Sequence, residues 1–413
     1  MKIKLTARFS PAFPLAMAIA ALLAVPSADA ATRIKQDNTD PLNQASSWDT
    51  LPNAADIAQW DITVTGANST LLGADLSWAG IKIVDPGTVP GTEPVTIGAG
   101  NTLTIGTSGI DLSTATQNLT LGCGLTLQGA QNWRAAAGIT LDVAGTFTRS
   151  GASVDFTNFN PTAILGTLAN DASGILGPWA TTGSGAALQY VTSTAGAISA
   201  YAGATADVGD LASLTSATTN YSYGAAATIA GPQTGNTLRY TGGATTTALG
   251  ANDLTLNGLM NAGTGKLTIS GTPASPGIVI GASGVLNITS NGQPMDITSN
   301  ISGAGVVVYS GGTFTLGVAN LTNSFNNYTG STVINSGTFT NAATGSASTL
   351  RHRAGDVQPR DHACMRPDPT GQRHHLQQCY AHLGEFLHLH PERTHHADRQ
   401  HDRQCQRRPC ALQ

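Results

Sequence analysis

The sequence predicts an all-β fold, a right-handed parallel β-helix or β-solenoid with a less regular middle section and a disordered C-terminal tail. Three observations carry the prediction. Short runs alternate aliphatic with hydroxyl or amide residues, Gly and Asn punctuate nearly every run, and aromatic residues make up only 5% of the 413 positions. Alternation at period two puts aliphatic side chains on one face of a strand and Thr, Asn or Ser on the other. Gly and Asn supply tight corners between strands. A sandwich of this size needs large side chains to fill its middle, so the scarcity of aromatics favours a thin core wound from similar coils.

Residues 1–30 read as a Sec signal peptide. Lys2, Lys4 and Arg8 precede an apolar run from Leu15 to Val25, and Ala28-Asp29-Ala30 offers a cleavage site. The run is shorter than the roughly 20 residues that a membrane span needs. No second long apolar stretch follows, so no transmembrane segment is expected in the mature chain. Residues 31–155 read as an N-terminal solenoid region, with strands at NTLTIG (Leu103, Ile105), NLTLG (Leu119, Leu121), LTLQG (Leu125, Leu127) and ITLDV (Ile139, Leu141, Val143). Residues 156–251 are rich in Ala, Gly and Thr with weak alternation, and two readings stay open there: irregular rungs with a surface insertion, or a looser lateral domain. Residues 252–350 return to the pattern at DLTLNG, KLTIS, VLNIT and TFTLG. At roughly 20 residues per turn, residues 31–350 would form about fifteen turns. With ~4.8 Å between strands, those turns would stack to about 70 Å.

Between residues 31 and 350 there are seven Lys or Arg and sixteen Asp or Glu. No basic stripe stands out, which argues against a nucleic-acid partner. Cys123 is the only cysteine of this region and has no internal disulfide partner, and in GCG it reads as a small core residue with no base to activate it. The absence of histidine from the region excludes a Ser-His-Asp set within it. The carboxylates closest to a catalytic arrangement are Asp142 and Asp155, which flank Arg149, and the pair Asp207 and Asp210. Converging carboxylates serve acid and base chemistry on glycans. Isolated carboxylates at loops, however, read first as solvated turn residues. No catalytic, cofactor-binding or metal-binding residue is assigned, and no calcium loop of the D-x-[DN]-x-[DN]-G type is present. Trp48, Trp60 and Trp78 read as capping or core aromatics in preference to a sugar platform.

The segment from Ile301 to Ala342 carries Gly303 and Gly305, then Gly311 and Gly312 before Phe314, then Asn327-Tyr328-Thr329-Gly330, then Gly337-Thr338-Phe339. This series resembles the autotransporter-associated β-strand repeat, with Phe339 where Leu is more usual. Upstream, the surroundings of Trp48, Trp60, Trp179 and Arg239 look like regions of large secreted bacterial proteins that bear this repeat. The resemblance implies a β-solenoid passenger exported across the inner membrane of a Gram-negative-type cell, with a structural or adhesive role. Surface carbohydrate or other surface proteins are the expected partners. Passengers of this kind end in a translocator barrel or a sorting segment, and the expectation here is a chain that lacks its C-terminal anchor or translocator. The intact architecture would be extracellular or on the cell surface, and the truncated chain periplasmic. The alternative is a polysaccharide-degrading β-helix enzyme, a lyase or a hydrolase.

Residues 351–413 contain all ten histidines and four of the five cysteines. His362, Cys364, His374, His375, Cys379, His382, Cys405 and Cys410 are metal-ligand types, but their spacing gives no paired zinc frame. The segment has no Ser, Asn, Ile or Lys and is loaded with Arg, His, Gln and Pro, whose codons begin with C. Moving the frame by one base restores the missing residues: RHRAGDVQPRDHA can encode GTGRVTFNPGTTL, HHLQQCYAHLGEFLHLHPER can encode TIYNNATLISGSSFTSTLSG, and ADRQHDRQCQRRPCA can encode LTGNTTVNVNGGPAL. The expectation is a frameshift near Thr349 to Arg351, in the gene or its recorded sequence, followed by an unstructured tail without the apolar periodicity that offsets ordering entropy.

Overall fold

Alternating runs become strands because each buries its aliphatic face against the next coil. The computed structural model describes residues 30–84, 93–149, 151–207, 211–272, 277–316 and 326–341, together with the backbone of two further strands, His362–Met365 and His374–Cys379. About 49% of the chain is strand and about 2% helix, and the strands wind into a parallel β-solenoid of about 12 turns. That is fewer than the about fifteen expected from a 20-residue repeat. Coils are longer than assumed, as shown by Thr126 and Thr148, neighbours on successive coils that lie 22 residues apart. The antiparallel strands Gln189–Thr194 and Ala197–Ala200 add no parallel coil either. The signal peptide expected at residues 1–30 lies outside the described residues except for Ala30, and no helix among the described residues is long and apolar enough to cross a membrane.

The solenoid has two stacks. In the first, parallel pairing aligns Val95, Leu119, Leu141 and Leu165 into one aliphatic column, and Leu76, Leu103 and Leu125 into another. Val95, Leu119, Leu141 and Leu165 are each at most 1% exposed. Burying a Leu contributes roughly 1.5–3 kcal/mol relative to leaving it exposed. At the N-terminal end, Trp48 packs edge-on against Trp60 and Trp78, with ring centroids 5.3 and 5.6 Å away. Trp48 Nε1 donates to the Leu42 carbonyl at 2.8 Å. Lys35 is fully buried beside this cap, its ammonium donating to the carbonyls of Gln36 and Asn38 and to Asn38 Oδ1. Burial lowers its pKa to about 8, against the opposing pull of Asp40 and Asp37.

The far end of this stack is closed by a hairpin. Gln189–Thr194 pairs antiparallel with Ala180–Thr182 on one side, Ala197–Ala200 pairs antiparallel with Ile164–Gly166 on the other, and the two hairpin strands pair with each other. Ala195 at φ 50° and Gly196 at φ 85° make its turn. The hairpin joins the sheet faces into a single 16-stranded sheet.

The second stack begins at Thr205–Ala206 and Thr215–Tyr223 and runs to Thr338–Asn341. The section 156–251 therefore divides, its first part completing one stack and its last part opening the next. Leu238, Leu259, Ile288 and Tyr309 form one inward column, and Leu254, Ile278 and Ile301 another. A chain of buried amides runs along one corner: Asn236 Nδ2 donates to Asn220 Oδ1 at 2.9 Å, and Asn257 Nδ2 to Asn236 Oδ1 at 2.8 Å. The stacks touch along their flanks. Asn335 Nδ2 donates to the Gly151 carbonyl and to Ser153 Oγ, Arg239 Nε donates to the Leu188 carbonyl, and Ile175, Leu188 and Tyr190 pack with Met260 and Ala262.

Of residues 351–413, expected to be unstructured, His374–Cys379 pairs antiparallel with Thr338–Asn341 and with His362–Met365. The last coil offers unpaired backbone groups that an extended segment can satisfy. The remainder of that segment lies outside the described residues.

Candidate functional site

Most outward positions of the solenoid carry Thr, Ser or Asn on a flat ladder. One patch of the first stack departs from this, on strands Ile57–Trp60, Leu76–Val84, Thr102–Thr114 and Ala130–Ala135. Ile57 pairs with Gly80 and Gly80 with Gly109, so two consecutive coils present no side chain at that outward position. These glycines are required by close backbone approach. A Cβ at Gly80 would lie 2.7 Å from the Gly109 carbonyl oxygen, and one at Gly109, which has φ +67°, 2.4 Å from that of Asn132. A register shift between Trp78 and Gly80 pushes Thr107 and Ser108 outward into solvent. Beside them lies a depression of about 310 Å³ lined by Ile57, Ile81, Lys82, Thr107, Ser108, Asp111, Asn132 and Arg134.

The next outward row is charged. Gln59 pairs with Lys82, Lys82 with Asp111, and Asp111 with Arg134. Asp111 Oδ1 accepts from Ser113 N at 3.0 Å and Ser113 Oγ at 2.6 Å, and Oδ2 lies 4.0 Å from Arg134 Nη1. Lys82 has no hydrogen bond or ion pair among the described residues, and Arg134 Nε is shielded from solvent without a hydrogen-bond acceptor. The other five cations between residues 31 and 350 are all engaged. Arg33 pairs with Asp56, Lys266 with Asp296, Lys35 and Arg239 bond carbonyls, and Arg149 lies over the Trp179 ring at 4.7 Å. Sequence reading missed this row because the three residues lie in different coils. Its signal was the repeated triplets Gly80-Ile81-Lys82, Gly109-Ile110-Asp111 and Asn132-Trp133-Arg134, each an outward, inward, outward set.

The carboxylates considered from sequence bond either the next coil or their own turn. Asp142 Oδ1 accepts from Thr167 Oγ1 at 2.6 Å, and Asp155 Oδ1 accepts from the backbone and hydroxyl of Thr157. Arg149 donates to the Ala152 carbonyl and, among the described residues, forms no ion pair with either carboxylate. Burial lowers its pKa to about 10. Asp207 accepts from the Leu211 backbone and the Ser213 hydroxyl, and Asp210 lies outside the described residues. Cys123 is buried, and burial pushes its thiol up to about 11, away from thiolate chemistry. Trp48, Trp60 and Trp78 are each at most 4% exposed, in the cap and core. Among the described residues no group of three or more His, Cys, Asp or Glu is placed to hold a metal ion; the side chains of the His- and Cys-rich tail lie outside them. No family model, curated protein or solved structure matches the chain.

Proposed function

We propose that the protein is an exported bacterial β-solenoid passenger of the autotransporter-repeat type, with a structural or adhesive role at the cell surface and no catalytic activity, truncated by a frameshift after residue 350. The observation that supports this reading best is the geometry of the repeat-like segment. Its glycines stack coil upon coil: a Cβ at Gly305 would lie 2.2 Å from the Gly284 carbonyl oxygen, one at Gly330 2.3 Å from that of Gly305, and one at Gly337 2.6 Å from that of Gly312. Gly330 N donates to the Gly305 carbonyl at 2.8 Å, and Thr338 N to that of Gly312 at 3.0 Å. Tyr328, the aromatic of the Asn-x-Tyr-x-Gly turn, is fully buried with its hydroxyl bonded to Thr332. The motif residues thus coincide with the positions where coil meets coil, which gives a physical reason for a repeat with these glycines at this spacing.

The Ser, Thr and Asn of the outer faces can hydrogen-bond glycans or neighbouring proteins, which is the basis of the adhesive role. Purified protein incubated with a panel of polysaccharides tests the reading: binding without turnover is expected, whereas new reducing ends or unsaturated products would establish the lyase or hydrolase alternative. Fractionation of a Gram-negative host expressing the chain is expected to place it in the periplasm, and stable labelling on intact cells would contradict the truncation.

A further inference from the structure

We infer that the depression lined by Lys82, Asp111 and Arg134 is a binding site for a saccharide bearing a carboxylate, with Lys82 and Arg134 receiving the charge. The inference rests on the adhesive reading above and names its site and ligand class. Among the described residues Lys82 has no hydrogen bond or ion pair and Arg134 has only its 4.0 Å contact with Asp111, and both line this one depression. A guanidinium presents a planar fork of donors that matches a carboxylate, and the Arg134 side chain is 43% exposed at this depression.

Asp111 sets the charge of the ligand. Standing between the two cations, it leaves the row with a net charge of one, enough for a single carboxylate and unfavourable to a dianionic phosphate. Its Oδ1 is held by Ser113, so it does not swing to neutralise Lys82. The rest of the depression suits a sugar ring. Thr107, Ser108 and Asn132 offer exposed hydroxyl and amide groups for ring hydroxyls, and Ile57 offers an apolar contact for ring C–H groups. Ligand sites combine a concave surface with a few convergent polar groups in this way.

The test is affinity electrophoresis of the full chain through gels containing polygalacturonate, alginate or hyaluronate, with fully methyl-esterified polygalacturonate and dextran as uncharged comparisons and inorganic phosphate as a soluble competitor. Retardation is expected in at least one carboxylated polymer. It should be weaker by at least about tenfold in apparent affinity for Arg134→Gln and for Lys82→Gln, as the loss of a charge-assisted bond implies, and unchanged for Lys266→Gln, a control for net charge. Equal retardation by esterified and free polygalacturonate, or carboxylate binding insensitive to both site variants, would overturn this site while leaving the adhesive reading intact. Displacement by millimolar phosphate would overturn the ligand class. Failure to bind any polymer, charged or neutral, would sink both.

Discussion

The first stack, residues 30–200, and the second, from residue 205, share a winding but differ in what fills them. The first is held by uninterrupted aliphatic columns such as Val95, Leu119, Leu141 and Leu165, is capped by tryptophans and holds all five tryptophans of the chain. The second replaces part of its apolar corner with Asn220, Asn236 and Asn257, buried and bonded in series, and packs Tyr223 on Tyr240 and Tyr309 on Phe314. An aliphatic column tolerates sliding because any Leu packs on any other. A buried amide chain does not, since a slipped coil leaves desolvated donors and acceptors unpaired. The same fold thus obtains its register by cap and hairpin in one half and by side-chain pairing in the other.

The largest expected effect tests whether the halves are independent. Leu119→Ala and Leu259→Ala should each destabilise their own stack by about 2–5 kcal/mol through lost burial and a residual cavity. Because tryptophan fluorescence reports only the first stack, Leu259→Ala should move the urea transition seen by circular dichroism and leave the fluorescence transition in place. A joint shift would mean that the flank contacts make the two stacks one cooperative unit. Next in size, Asn257→Leu should cost about 1–3 kcal/mol. It strands Asn236 Oδ1 and the Ser283 backbone amide, which Asn257 now satisfies. A neutral result in thermal denaturation would show that the amide chain contributes nothing to stability.

The smallest effect concerns pH. Lys35 has a folded pKa of about 8 against a usual value of 10.5, so between those values the unfolded chain binds more protons and stability rises with pH. Tyr190, Tyr223 and Tyr309 are pushed above the usual tyrosine value by burial, so above about pH 10 the unfolded chain gives up protons that the folded chain keeps, and stability falls. Resistance of the wild type to urea should therefore rise from pH 8 to about pH 9, above which the raised Cys123 thiol opposes the rise, and Lys35→Met should lose that rise while keeping the decline at higher pH. A rise that persists in the variant would assign it to another group.

What the sequence made legible was whatever depends on one strand at a time. NLTLG and LTLQG alternate, and Leu119–Leu121 and Gly124–Leu127 are strands with their leucines inward. The hairpin at residues 189–200 escaped notice because its turn uses Ala195 in a left-handed conformation that carries no Asn-Gly signal, and because its strands are mostly small residues with weak alternation. The candidate site was illegible for a related reason. Gly80, Gly109, Lys82 and Arg134 gain meaning only from which residue sits above which, and register shifts with unequal coil lengths hide that alignment in the linear chain. Motif glycines at 301–342 stood out from sequence because several coil-to-coil contacts recur within one short segment.

The hairpin that closes the first stack turns a coiled ladder into a ribbon folded back on itself. Its strand order runs from Thr32–Ile34 up one face, through the hairpin, and down the other to Asn68–Thr70. Two selvedges of this ribbon therefore lie in the first coils, and a third, Phe147–Arg149, which pairs only with Gly124–Leu127, closes a side branch nearer the hairpin. Peeling under load, deuterium uptake into the ladder, and strand donation by a neighbouring chain have one doorway in the first coils, guarded by Trp48 and Lys35, and a second along Phe147–Arg149. A chain emerging from its N-terminus makes the doorway first and the closure last, so until residue 200 has followed, the ribbon has two ends that can fray.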